Sequence, residues 1–362
     1  MERLIRVRQH LNESGLKGFI FDQSVDLKYL SEGKIFSGKL IVSSEEVRLF
    51  VAPIDVAMYS HLISEDIEIT CCSSFSDDLF LDYLKNMNNC GFDPATVTYT
   101  FYQRVLSQCP SLVSVNFFLD GIRSIKSPEE LEKMTAAAKL GSEGYDLVCS
   151  LLNENVTATS LATELRTFWA SQGATATAFP PIIAFGEDTA FPHASLSERK
   201  LCFEDIVLID IGVELDDYCS DMTRVLNWGK PKKELRAVYR IVREAQIEGL
   251  KLCKAGVSCG AIHEVVCAVI KEAGYEKYFM HGTGHGIGMS VHEYPYLSSN
   301  RQDRRTAEIL LKESMVVTVE PGIYLPGIGG VRLENSIIIK SDGYTDLTKR
   351  EIPEELPCLY RN

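Results

Sequence analysis

Two aspartates, Asp210 and Asp221, stand eleven positions apart in residues 206–221, a stretch that reads as an apolar strand, a turn and a second strand. With the turn centred on Leu215 and Asp216, a hairpin sets Asp210 directly opposite Asp221, with Cβ atoms roughly 4.5–5.5 Å apart. Like charges so placed repel each other. A bound cation is the simplest reason to keep them, since two carboxylates at that separation can bridge metal ions roughly 3.5–4 Å apart. Taken alone, the pair is more simply two exposed acids on a solvated hairpin.

A second pair repeats the arrangement. Glu320 closes an apolar run that begins at Met315, and Glu334 lies beyond the Pro/Gly-rich connection 326–330. The two glutamates are symmetric about Gly327, so another hairpin can bring them face to face. Between the pairs lie His281, His285 and His292, with Gly282, Gly284, Gly286 and Gly288 interleaved. Four carboxylates and an imidazole form a hard, oxygen-rich donor set, suited to Mn²⁺, Co²⁺, Fe²⁺ or Zn²⁺ better than a thiolate set would be.

These residues together resemble the pita-bread metallopeptidases, which include methionine aminopeptidase, aminopeptidase P and prolidase. The resemblance is strong over about residues 125–345 and weaker before them. It implies an α+β fold: a pita-bread catalytic domain with pseudo-twofold halves (residues 123–362), preceded by a smaller α/β creatinase-type N-terminal domain (residues 1–122). It also implies five metal ligands, Asp210, Asp221, His285, Glu320 and Glu334, holding two divalent ions. Mn²⁺ is foremost, with Co²⁺, Zn²⁺ or Fe²⁺ as alternatives. A homodimer is implied in the same way.

Further matches narrow the branch. Phe179–Gly186 and the following Phe191-Pro192-His193 resemble the substrate-side histidine motif of the family. The trio His281, His285 and His292 resembles the Xaa-Pro peptidase branch, whereas methionine aminopeptidases generally lack the first histidine and the extra N-terminal domain. Creatinases share the fold but lack the ligands. The resemblance gives Glu320 a second task as proton shuttle, His193 and His292 contacts to the tetrahedral intermediate, and His281 a place in the proline pocket. Arg332, two residues before Glu334 on a strand, shares its face and can orient a ligand carboxylate.

Two departures stand out. The family usually carries Gly-Asp before the first ligand strand and Gly-Tyr before the second ligand, where this chain has Glu204-Asp205 and Asp217-Tyr218. Altered turn geometry with the ligands kept is the expectation. The connection from His292 to Glu320 is long and holds Arg301, Arg304 and Arg305. Arg305, before Thr306-Ala307, resembles the arginine with which prolidases bind a free substrate carboxylate.

The elements that must position these groups are legible around them. Residues 1–122 alternate helical and strand patterns and carry no catalytic constellation of their own. Ser127, Pro128 and Glu130 form a helix start with a capping box, predicting a long helix to about Leu152. Val156 and Gly173 recur 101 positions later as Val257 and Gly274, and Leu161, Leu165 and Phe168 correspond to Ile262, Val266 and Val269. Two helix-helix-hairpin halves follow, opened by Pro128 and Pro231, each giving two acids to a central site. His263, in the second short helix, reads as structural.

The whole chain excludes other classes. With 362 residues, 45% hydrophobic and 24% charged, it can build two domains. A net charge of −13 argues against nucleic acid as partner. Eleven scattered cysteines without a Cys-x-x-Cys pair read as reduced thiols. No apolar stretch approaches the ~20 residues needed to span a bilayer, and the opening residues have no signal region. The expectation is a cytoplasmic enzyme. The glycine run 282–288 lacks the last glycine of a dinucleotide loop and the βαβ unit around it. The leading reading is thus a dinuclear-metal peptidase acting on short proline-containing peptides at the bond between an N-terminal residue and proline. A methionine aminopeptidase-like enzyme and a catalytically inactive pita-bread binding protein are the alternatives.

Overall fold

The computed structural model describes residues 2–63, 66–72, 78–298 and 309–359. The chain divides into two compact units, residues 1–122 and 123–362.

In the first unit helices α1 (Glu2–Glu13), α2 (Ser24–Ser31), α3 (Val56–Leu62), α4 (Asp78–Asn86) and α5 (Tyr99–Gln108) alternate with six strands. The strands are β1 (Gly18–Phe21), β2 (Lys39–Ser43), β3 (Val47–Val51), β4 (Ile67–Cys71), β5 (Cys90–Phe92) and β6 (Val113–Ser114). They form one sheet in the order β4-β3-β2-β1-β5-β6, antiparallel only at the two pairs made by β2. Apolar runs such as Gly18–Phe21 are buried throughout, as a sheet covered on both faces requires.

The short helix α6 (Asp120–Ser124) leads into α7 (Pro128–Leu151), where Ser127 and Glu130 close the predicted capping box. Next come α8 (Ala158–Ser171), β7 (Ala176–Thr177), β8 (Ile182–Phe185), β9 (Ile206–Ile211), β10 (Val213–Leu215), β11 (Tyr218–Cys219) and β12 (Met222–Trp228). The second half runs through α9 (Lys233–Leu252), α10 (Cys259–Glu272), β13 (Gly284–Gly286), β14 (Glu293–Leu297), β15 (Val316–Val319) and β16 (Gly322–Leu325). It ends with β17 (Gly329–Arg332), β18 (Asn335–Ile339), β19 (Tyr344–Asp346) and β20 (Cys358–Leu359).

The internal repeat is real in space. Helices α8 and α10 have 14 residues each at an offset of 101, and Gly173 and Gly274 just beyond them take φ of 90° and 82°, the left-handed stop that glycine adopts freely. Pro231 differs from expectation: it stands before the N-cap Lys232, outside α9. Each helix pair backs a sheet, β20-β12-β9-β8 in the first half and β14-β13-β15-β18-β19 in the second. Trp169 of α8 is 1% exposed and donates from Nε1 to the Leu140 carbonyl at 3.1 Å. It lies where a Cβ on Gly144 would come within 2.7 Å, so the glycine lets α7 and α8 approach. Truncating such a buried tryptophan costs about 3–5 kcal/mol.

Candidate metal centre

Strand β9 is buried along its whole length, so Asp210 is a charge carried into a core. The first hairpin turns at Asp216-Asp217, one residue later than the sequence suggested, because both positions adopt positive φ (50° and 67°), which a two-residue turn of this kind requires and Leu215 does not supply. The register therefore pairs Asp210 with Thr223, and Asp221 is its diagonal neighbour. The expected direct opposition of the two aspartates is corrected accordingly. At the two positions where the family usually carries glycine, Glu204 and Asp217 have φ of 70° and 67°, a glycine-type conformation carrying a side chain.

The second hairpin matches its prediction. Val319 pairs with Asn335 and Gly322 with Arg332, so both ladders are centred on Gly327 and Glu320 faces Glu334 in the gap between them. In that gap the backbone bonds leave the hairpin. Glu320 N–H donates to the Thr283 carbonyl at 2.7 Å, and Glu334 N–H to the Thr223 carbonyl at 3.2 Å. Each glutamate is thereby tied to the strand of another site residue. His285 follows Gly284, where any Cβ would collide with the Thr318 carbonyl oxygen.

The side chains converge. His285 holds Nδ1 against the Gly286 carbonyl at 3.0 Å and turns Nε2 toward Glu320 Oε1 at 3.2 Å and Asp221 Oδ2 at 3.7 Å. Ligand atoms of Asp221, His285 and Glu334 lie within 4.8 Å of one another. Arg332 donates through Nη2 to Asp210, through Nη1 to Tyr324 Oη at 2.7 Å and through Nε to Thr223 Oγ1 at 3.1 Å. Thr223 Oγ1 in turn donates to Glu334 Oε2 at 2.7 Å, which puts Arg332 and Glu334 on one face. Asp210 Oδ1, Asp221 Oδ1 and Glu334 Oε1 are buried without a hydrogen-bond partner.

The electrostatics follow from this crowding. Burial, then Glu334, Asp210 and Glu320, push Asp221 well above the usual carboxylate range. Burial and the charges of Glu320 and Asp210 raise Glu334 to about 8. Glu320 goes the other way: burial opposes its ionisation, but the hydrogen bond and charge of His285, with His281 and Arg332, bring it down to about 2. Three unpartnered oxygens among mutually repelling buried acids fit a divalent cation, which neutralises them and fills their lone pairs.

These groups line one cavity of about 1170 Å³. His193, His281, His292 and Arg332 line it too. The His292 ring is 4.3 Å from that of His285, His193 is exposed, and His281 Nε2 meets Tyr324 Oη at 2.9 Å. Arg301, Arg304 and Arg305 lie outside the described residues. Sequence reasoning missed Thr223 and Tyr324. Thr223 had one usable signal, its position two residues after Asp221 on the same strand face.

Residues 132–341 match the model of metallopeptidase family M24, and residues 3–125 that of the creatinase/prolidase N-terminal domain. The chain belongs to metallopeptidase family M24. It is 30% identical over 353 residues to a Xaa-Pro dipeptidase of Pyrococcus furiosus, covering 97% of this chain and 98% of that one. Its fold matches a Xaa-Pro dipeptidase from Bacillus anthracis with a TM-score of 0.89 at 31% identity, over 99% of both chains. An X-Pro aminopeptidase from Thermotoga maritima matches with a TM-score of 0.84 at 26% identity, over 99% of this chain and 100% of that one. The chain thus has the pita-bread fold of the M24 peptidases, preceded in sequence by a creatinase-type N-terminal domain.

Proposed function

We propose that this M24 protein is a dinuclear-metal Xaa-Pro peptidase that hydrolyses the bond between an N-terminal residue and proline. The observation that carries the reading is the set of unpartnered buried oxygens on Asp210, Asp221 and Glu334 around His285. Those residues and Glu320 would hold two divalent ions, Mn²⁺ first among them. When bound, such ions activate a water and polarise the scissile carbonyl.

The chain's own groups do the rest. Glu320, ionised at neutral pH, takes the water's proton and passes it to the prolyl nitrogen, a poor leaving group unless protonated. His292 and His193 hydrogen-bond the developing oxyanion and the substrate carbonyl from the cavity wall. Arg332 holds Asp210, and Tyr324 joins Arg332 to His281 beside the proline. Arg305 is assigned the carboxylate of a dipeptide. The creatinase/prolidase-type N-terminal domain speaks against a methionine aminopeptidase. The intact donor set speaks against an inactive binding protein.

The enzyme is assigned to the cytoplasm as a homodimer. Buried cysteines kept as thiols, such as Cys253 and Cys259, support the first, and no helix among the described residues is long and apolar enough to cross a membrane. Turnover of Xaa-Pro and Xaa-Pro-Xaa peptides, assayed with Mn²⁺, Co²⁺ and Zn²⁺, tests the function. Metal-loaded protein that cleaves neither series refutes it, and sedimentation decides the oligomeric state.

A further inference from the structure

Helix α10 carries His263 and Cys267 one turn apart on the same face. Cys267 Sγ lies 3.3 Å from His263 Nε2, and His263 Nδ1 lies 2.9 Å from Thr283 Oγ1. His263 lines the cavity of the metal centre, and Cys267 is partly exposed. Cys202, Cys253 and Cys358 turn their thiols to main-chain carbonyls of Lys200, Gly249 and Leu356. Cys267 faces an imidazole instead.

We infer that Cys267 Sγ and His263 Nε2 form a binding site for a soft divalent cation, Zn²⁺ or Cd²⁺, separate from the carboxylate-rich centre. The spacing fits. Bonds of about 2.3 Å to sulfur and 2.0–2.1 Å to nitrogen at a tetrahedral angle put the two donors about 3.6 Å apart, so an ion enters with a few tenths of an ångström of adjustment. The imidazole is already oriented. In the tautomer that carries its proton on Nδ1 and donates it to Thr283 Oγ1, the Nε2 lone pair faces the sulfur, the arrangement an oxygen partner gives a metal-bound histidine.

The protonation states favour a metal over a covalent reagent. Burial, with Glu276 and Glu264 nearby, pushes the Cys267 thiol up, so it is a slow nucleophile. Burial, with His281, pulls His263 down and leaves it a neutral ligand. An entering ion takes the place of the thiol proton, which leaves to solvent, and forms one bond to sulfur and one to nitrogen. Water fills the remaining positions. Glu264 and Glu276 add negative potential at the sulfur, although Glu276 is also paired with Lys271 at 3.2 Å.

Occupancy has a consequence for the neighbouring centre. Thr283, which anchors His263, donates its N–H to the Leu297 carbonyl at 2.7 Å and accepts the Glu320 N–H at 2.7 Å. A hydrated ion on His263 stands in the cavity wall, so the site inhibits turnover while the carboxylate centre stays loaded.

The test is a Cd²⁺ titration of the Mn²⁺-loaded full chain, with Cys267→Ala and His263→Asn in parallel. Thiolate-to-cadmium absorption and the content of both metals after gel filtration are read alongside peptide turnover. Wild type should bind one equivalent of Cd²⁺ that both variants lack, and should keep its Mn²⁺. Its turnover should be at least tenfold more sensitive to Cd²⁺ than that of Cys267→Ala, whose activity without Cd²⁺ is unchanged. Equal Cd²⁺ uptake and absorption in wild type and Cys267→Ala overturns the site. Cd²⁺ uptake accompanied by loss of Mn²⁺ overturns its separateness, and binding at Cys267 with undiminished turnover overturns its place in the substrate path. Only the turnover arm rests on the proposed peptidase function; absorption and stoichiometry are read whether or not any peptide is cleaved.

Discussion

Thr223→Val removes one oxygen and nearly keeps the shape of the side chain, which makes it a sharp probe of how the acids are held. The hydroxyl is fully buried, accepts from Arg332 Nε at 3.1 Å and donates to Glu334 Oε2 at 2.7 Å. Both partners are ionisable, and hydrogen bonds to charged groups contribute about 1.5–3 kcal/mol each. In the valine variant Glu334 has neither oxygen partnered by protein, since Oε1 already has none. Arg332 keeps Asp210 and Tyr324 but loses the contact that fixes its guanidinium plane. Loss of such a supporting partner weakens metal binding about 10–100-fold, or about 1.4–2.7 kcal/mol. Calorimetric titration of metal-free protein with Mn²⁺ reads this directly, and Thr223→Ser, which keeps the hydroxyl, should bind nearly as wild type does. A valine variant with native affinity, or a serine variant as impaired as the valine one, would refute the reasoning.

Asp221→Asn should abolish turnover and lower metal content, measured by elemental analysis; full activity in metal-free protein would sink the dinuclear centre. His193→Ala and His292→Ala should keep their metals while kcat falls roughly 10²–10³-fold, and outright metal loss in either would show a ligand. Glu204→Gly should raise stability by up to about 1 kcal/mol by relieving a left-handed non-glycine residue, read from the denaturant midpoint. Glu293, buried and bonded to Arg123 at 2.7 Å and Lys126 at 2.8 Å, ionises below its ordinary 4.5 because those charges outweigh burial. Its contribution is complete above pH 4.5 and is lost as pH falls through the lower folded value, so Glu293→Gln should be less stable at neutral pH and show a shallower acid limb.

What the sequence showed and what it hid divide along physical lines. Gly327 sits at the centre of both ladders of the second hairpin, so its register could be counted from the Pro/Gly connection. The first hairpin offered Leu215, Asp216 and Asp217 as turn residues. Choosing among them depended on which tolerate positive φ, and placing the acids opposite each other favoured the wrong pair. The start of α7 and the 101-residue repeat were readable because caps and apolar spacing are local, whereas α9 begins beyond Pro231, its N-cap Lys232 making no side-chain cap bond. Thr223 and Tyr324 were not, since a hydroxyl announces no role until its partners, 111 and 8 residues away, are in place.

The repeat places Asp210 and Asp221 in one half and His285, Glu320 and Glu334 in the other. A chain stopped in the turn after Trp228 could form its own hairpin and still offer only a pair of acids that repel. The remainder would be equally incomplete. On the proposed ligand set, metal capture would register only when both halves have been made, folded and joined. With that set, an engineered split at that turn would turn metal uptake into a reporter of reunion.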